Sequence, residues 1–169
     1  MFRTTVIAAA VGAAVCAPAC GSSGATVLPQ QGPAPAQCGV DLASPTVQAA
    51  VAGLPPEPVT QAHWATDPAT FRGNFDPCAT LSTAIVTIEG ATGSSPEHAL
   101  LFHQGRYVGT ATPEAHGFTT LAAEATTDGT VVLGYKTPGS CNACPDAGHT
   151  QVGFHWDGRR VVMQGTPPA

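Results

Sequence analysis

Six cysteines and six histidines are the residues in this chain whose chemistry reaches beyond packing. Cys16 and Cys20 fall in the amino-terminal segment; Cys38, Cys78, Cys141 and Cys144 follow in the body of the chain. An even number of cysteines in an exported domain forms a disulfide framework, and four cysteines allow three pairings. The favoured pairing is Cys38–Cys78 with Cys141–Cys144. The first bridge pins the start of the domain to the loop ahead of the first strand. In the chain-entropy model a closed loop of about 40 residues contributes roughly 4 kcal/mol, and one of four residues about 2. The Cys141-Asn142-Ala143-Cys144 spacing also permits a redox pair. Such a pair is activated at a helix amino terminus, which lowers the thiol pKa, whereas Pro145-Asp146-Ala147-Gly148 reads as a turn. A Cys₄ zinc centre needs a second close pair, and Cys38 and Cys78 stand far apart in sequence. No metal or other cofactor is expected.

His63, His98, His103, His116, His149 and His155 include no pair at i, i+4 and no HExxH run, so they read as solvated or locally bonded side chains. Gly93-Ser94-Ser95 is not the GxSxG elbow of a hydrolase. Asp76 before Pro77 reads as a turn-fixing residue. There is no P-loop and no dinucleotide fingerprint. No catalytic residue is assigned, and the chain is read as a non-enzyme.

The elements that must position these residues begin after an address. Arg3 supplies a positive charge, and the apolar stretch from Thr4 to Val15 has the length of a secretory signal and is too short for a membrane-spanning helix. Ala17-Pro18-Ala19-Cys20-Gly21-Ser22 has the form of a bacterial lipobox, in which Cys20 is lipidated and becomes the new amino terminus. Residues 1–19 are therefore read as a lipoprotein signal peptide. Residues 20–37, rich in Pro, Gly, Ser and Gln, are read as a lipidated Cys and flexible tether, and 38–169 as the extracytoplasmic domain. Acyl chains such as palmitate on Cys20 would hold the domain on the cell membrane, facing outward. Beyond Arg3, five basic residues stand against eleven acidic ones. That balance excludes a nucleic-acid binder and argues against adhesion to anionic headgroups.

Within the domain, Ser44 and Pro45 open a helix over Thr46–Leu54, with Val47, Ala50, Val51 and Leu54 at helical spacing. Pro55-Pro56 stops it. Period-two patterns then follow at 84–89, 99–102, 106–110, 130–135, 152–156 and 159–164, with Gln104-Gly105, Asp128-Gly129 and Asp157-Gly158 as hairpin signals. The expected fold class is α+β: an antiparallel β-sheet of about six strands, disulfide-stapled, with an amino-terminal helix packed on one face.

Several runs carry a family resemblance. Asn74–Ser82 (NFDPCATLS), Leu101–Thr110 (LFHQGRYVGT) and Cys141–Cys144, with Cys38-Gly39-Val40 and Trp156-Asp157-Gly158, resemble the LppP/LprE family of actinobacterial lipoproteins across residues 38–168. The resemblance implies a lipid-anchored protein of the cell envelope without an established enzymatic activity. It implies the lipid-bearing cysteine at Cys20 and the family's other cysteines at Cys38, Cys78, Cys141 and Cys144. The leading expectation is a non-catalytic binding or interaction domain with an unknown envelope partner or ligand. Two rivals are a thiol-disulfide oxidoreductase acting through Cys141 and Cys144, and a lipid or small-molecule carrier. A carrier needs a large apolar cavity between helix and sheet. With 6% aromatic residues, a filled core is expected there instead.

Overall fold

The structure is a computed structural model that describes residues 37–137, 139–141, 144 and 146–168. Cys20, the signal segment and nearly all of the tether lie outside the described residues. The order is α1 (Pro45–Ala52), β1 (Arg72–Gly73), β2 (Ser82–Thr87), β3 (Glu97–His103), β4 (Arg106–Thr110), β5 (Thr120–Leu121), β6 (Thr130–Thr137), β7 (Gly148–Trp156) and β8 (Val161–Gln164), with two short 3₁₀ turns.

These strands form two antiparallel sheets of four, β1-β2-β3-β4 and β5-β6-β7-β8, which corrects the single sheet of about six. Each of the six periodic segments contains a strand, although β2 ends at Thr87 and β8 begins only at Val161. The two additions, β1 and β5, are two residues long, too short to display any alternation. The division into two sheets follows from burial. β2 and β3 are buried at nearly every position, which requires cover on both faces, whereas β6 alternates strictly.

Helix α1 starts as its sequence dictates. Ser44 Oγ accepts the Thr46 N–H at 3.3 Å, and Pro45 occupies the first turn, where its missing N–H would have no helical partner. It ends two residues before the expected Leu54, with Gly53 at the cap. Val47, Ala50 and Val51 are buried against Trp64, Phe75, Leu100 and Phe102 in one apolar cluster. On the opposite face of the first sheet, Leu81, Ile85, Ala99 and Leu101 pack with Val131, Leu133, Tyr135, Val152 and Phe154 of the second. The layers therefore run helix and loops, first sheet, second sheet. The space under the helix is filled by side chains.

Two buried side-chain polar atoms among the described residues lack a hydrogen bond, one on Tyr135 between the sheets and one on His98 on the helix side. The Tyr135 phenol makes no hydrogen bond of ordinary geometry, and the Thr112 hydroxyl beside it donates to the Glu114 carbonyl at 2.7 Å. Burial pushes the Tyr135 pKa up to about 12. Because an unpaired buried hydroxyl is unfavourable, Tyr135→Phe is expected to leave stability unchanged or raise it by about 1 kcal/mol, read as the urea midpoint at constant m-value.

Candidate functional site: the groove between the edge strands β4 and β8

β4 and β8 are edge strands of their respective sheets, and they lie on the same flank of the sandwich. Between them runs an open groove of about 500 Å³ lined by residues of both strands. Leu101, Phe154 and Trp156 give it an apolar floor, Val108 and Met163 stand on its walls, and Arg159 and Arg160 stand at one end. Val108 is 42% exposed and Met163 48%, so this apolar lining is open to solvent. A concave apolar surface with a few convergent polar groups is the usual form of a ligand site.

Two local devices shape the groove. The first fixes Trp156. Its ring stacks on His103 with centroids 3.8 Å apart and planes 12° from parallel. His103 Nδ1 lies 2.5 Å from the Thr80 carbonyl. A carbonyl only accepts, so Nδ1 carries the proton. The Trp156 backbone N–H also donates to the Gly129 carbonyl at 3.0 Å. The second device builds the cationic end. The sequence assigns Arg159 and Arg160 to the last strand, yet β8 begins at Val161. The Asp157 carboxylate accepts both the Arg159 and Arg160 backbone N–H groups, at 2.8 and 2.9 Å, and keeps them in the turn. These two bonds, first that from Arg160, hold the Asp157 carboxyl below its usual range. The Arg160 side chain is 3.8 Å from Asp157 and largely exposed, so this pair adds little to stability.

The opposite flank carries an ion pair instead of paired arginines. Arg72 of β1 pairs with Glu97 of β3, and the second Glu97 oxygen accepts the Thr119 N–H at 2.8 Å. Burial raises the Glu97 pKa, opposed by Arg72 and by the Thr119 N–H. A second hollow of about 490 Å³ beside this pair is lined by Phe118, Tyr135, Lys136 and His149 among others, with the Lys136 ammonium 5.0 Å from the Phe118 ring centre.

The cysteines occupy two separate places. Cys38 is bonded to Cys78 with Cα atoms 5.3 Å apart, and Cys141 to Cys144 at 5.0 Å. The Cys141–Cys144 bridge lies between β6 and β7, where the Asp146 carboxylate accepts the Ser140 N–H at 2.8 Å. Among the described residues of this segment none is helical, and β7 follows at Gly148. Asp76 accepts the Cys78 N–H at 2.8 Å, a turn contact that does not involve a histidine. Among the described residues no group of three His, Cys, Asp or Glu side chains is arranged to hold a metal ion.

His98 departs from the expectation of solvated histidines. It is buried on the helix side of β3, its ring 5.0 Å from that of Trp64, and its Nδ1 has no hydrogen bond. Burial lowers its pKa, and His116 adds to this, while Glu57 acts in the opposite direction. The unfolded chain therefore binds more protons at this site than the folded one between the depressed pKa and 6.5. Stability is present in full above pH 6.5 and falls as the pH drops below it. Glu57, lowered chiefly by its bond from the Thr60 hydroxyl, acts in the same direction but below its ordinary range. Glu97, whose pKa is raised, acts in the opposite direction. The expected result is a melting temperature that declines from pH 7.5 to 5.5 and flattens over that interval in His98→Leu, measured by thermal unfolding.

The groove was not legible as a site. It consists of hairpin residues and ordinary core types, and only the aromatic Trp156 next to Asp157-Gly158-Arg159-Arg160 gave a signal. Residues 73–159 match the family model described as LppP/LprE lipoprotein. The chain is 35% identical over 126 residues to a Mycobacterium leprae protein named "Putative lipoprotein LprE", covering 75% of this chain and 58% of that protein. It is 32% identical over 128 residues to the Mycobacterium bovis protein of the same name, covering 76% and 59%. The chain thus spans less than two thirds of the length of these curated relatives. No solved structure matches it. By the match across half of its length, which includes every strand but β8 and all but one residue of β1, the chain belongs to the LppP/LprE lipoprotein family.

Proposed function

We propose that this chain is a lipid-anchored, non-catalytic binding domain of the cell envelope, and that the groove between β4 and β8 is where it binds. In this reading residues 1–19 are a signal peptide, Cys20 carries the lipid, residues 20–37 are the tether and 38–169 form the domain on the outer side of the membrane. Family membership supports the lipoprotein character. The observation that carries the binding role is a solvent-open groove with exposed Val108 and Met163 on its walls, Trp156 stacked on His103, and two guanidinium groups at one end. Cys141 and Cys144 are better read as a local staple than as a redox pair, since the sequence that follows, Pro145-Asp146-Ala147-Gly148, is that of a turn and not of a helix start that would stabilise a thiolate.

Two measurements test the two halves of the proposal. Mass spectrometry of the chain extracted from envelopes is expected to give a sequence beginning at an acylated Cys20; an unmodified Cys20 overturns the anchor. Titration with a monomeric single-chain amphiphile, followed by tryptophan emission, is expected to saturate. The double variant Val108→Asp, Met163→Asp should weaken it by about tenfold or more, equivalent to 1.4 kcal/mol, with the unfolding midpoint unchanged. A linear, non-saturating response overturns the groove.

A further inference from the structure

We infer that the ligand of this groove is an anionic phospholipid of the bilayer that anchors the chain, one whose phosphate has no headgroup cation beside it, with that phosphate on Arg159 and Arg160 and the apolar portion along Trp156, Val108 and Met163. This rests on the anchored, groove-binding reading above. A continuous series of contacts runs from the start of the domain to the cationic end of the groove. The tether enters the domain at Cys38, which is bonded to Cys78. The Cys78 loop packs on the β3–β4 turn: a side chain at Gly105 (φ +72°) would meet the Pro77 Cβ at 3.1 Å, and the Ala79 carbonyl accepts the Gln104 N–H at 3.0 Å. The next carbonyl, Thr80, holds His103, and His103 stacks on Trp156, which stands beside Arg159 and Arg160 in the groove. The disulfide thus brings the anchored end of the domain and the cationic end of the groove to the same pole of the sandwich. Seventeen residues separate Cys20 from Cys38, so with Cys20 acylated this pole, where the tether enters, is held within at most about 60 Å of the membrane surface.

Charge at this pole is divided between flanks. Asp76 and Asp128 line a separate cleft with Leu121, on the β5 side, and Asp41 bonds through its N–H to Phe75 on the same loop. On the β4–β8 side the only acid in the turn is Asp157, which is occupied by the two arginine amides and by Arg160. Arg159 makes no ion pair among the described residues, and Arg106 faces His103 across the neighbouring turn. Guanidinium groups pair with phosphate in two-point fashion. An acidic chain therefore presents a cationic rim where its own anchor brings it to phosphate, which revises the expectation drawn from net charge alone.

The test uses the full chain on vesicles of phosphatidylglycerol or phosphatidylcholine, with amide hydrogen exchange read peptide by peptide. Where mass spectrometry finds Cys20 unacylated, a maleimide lipid coupled to its thiol supplies the tether, so failure of the anchor and failure of this inference are read separately. On phosphatidylglycerol, exchange across 106–111 and 157–164 is expected to slow by about threefold or more relative to phosphatidylcholine. The protection should disappear in Arg159→Gln, Arg160→Gln and in high salt. Equal exchange on the two vesicles, or protection unaffected by the double variant, overturns the inference. Saturable binding of free dodecyl phosphate without vesicle protection also overturns it, while leaving the groove as a site.

Discussion

Leu100→Ala and Leu101→Ala are each expected to lower the unfolding free energy by about 2–5 kcal/mol, although the two residues are neighbours in a β-strand. Successive side chains in a strand point to opposite faces, so in a two-layer protein one of the pair would lie in solvent and its truncation would have little effect. Here Leu100 belongs to the cluster beneath the helix, with Phe75 and Phe102. Leu101 belongs to the cluster between the sheets, with Leu133 and Phe154. Both are essentially inaccessible. Each truncation removes buried methyl groups and leaves a void that close-packed neighbours fill only in part. Urea unfolding of the two single variants and the double variant provides the test. Losses of this size in both singles support three layers; a loss below about 0.5 kcal/mol in either, the range of surface substitutions, contradicts them.

Removal of the Cys38–Cys78 bridge by paired alanine substitution is expected to be the largest effect available away from the core. Its 40-residue separation gives about 4 kcal/mol in the chain-entropy model, against about 2 for Cys141–Cys144. The longer bridge also has a positional consequence. It joins the entry of the domain to the loop that supports His103 through the Thr80 carbonyl, so its loss should loosen the base of the groove. Losing Cys141–Cys144 should leave the groove intact, because that bridge lies beyond β6 at the far end of the long hairpin. Unfolding midpoints and amphiphile titrations of the two double variants separate these outcomes. Equal destabilisation by both, or a groove indifferent to the loss of Cys38–Cys78, contradicts this division of labour.

Much of the fold was legible because its signals are local. The Ser44-Pro45 start, the Asp128-Gly129 turn and the six longer strands follow from capping, turn chemistry and alternation. What local pattern could not supply was the number of sheets. The nearly unbroken apolar run of Ala84, Ile85 and Val86, followed by Ala99–Phe102, was the available sign of a strand pair covered on both faces. The expected alternation at 84–89 concealed it. The position of Arg159 and Arg160 was missed for a related reason: a carboxylate at Asp157 that takes two backbone amides extends the turn, and Asp-Gly by itself implies a tighter one. The groove depends on two hairpins far apart in sequence meeting through the stack of His103 on Trp156. No periodicity within either hairpin encodes that contact.

The most direct measurement is a heteronuclear NMR titration of the full chain carrying Cys20→Ser with monomeric dodecyl phosphate. Saturable shifts are predicted at the Trp156 indole N–H, the Arg159 and Arg160 guanidinium signals and the Met163 methyl, with the helix and the β1–β5 flank unmoved. Absence of saturable shifts, or shifts centred on the Arg72–Glu97 flank, would contradict the assignment of the β4–β8 groove as the binding site.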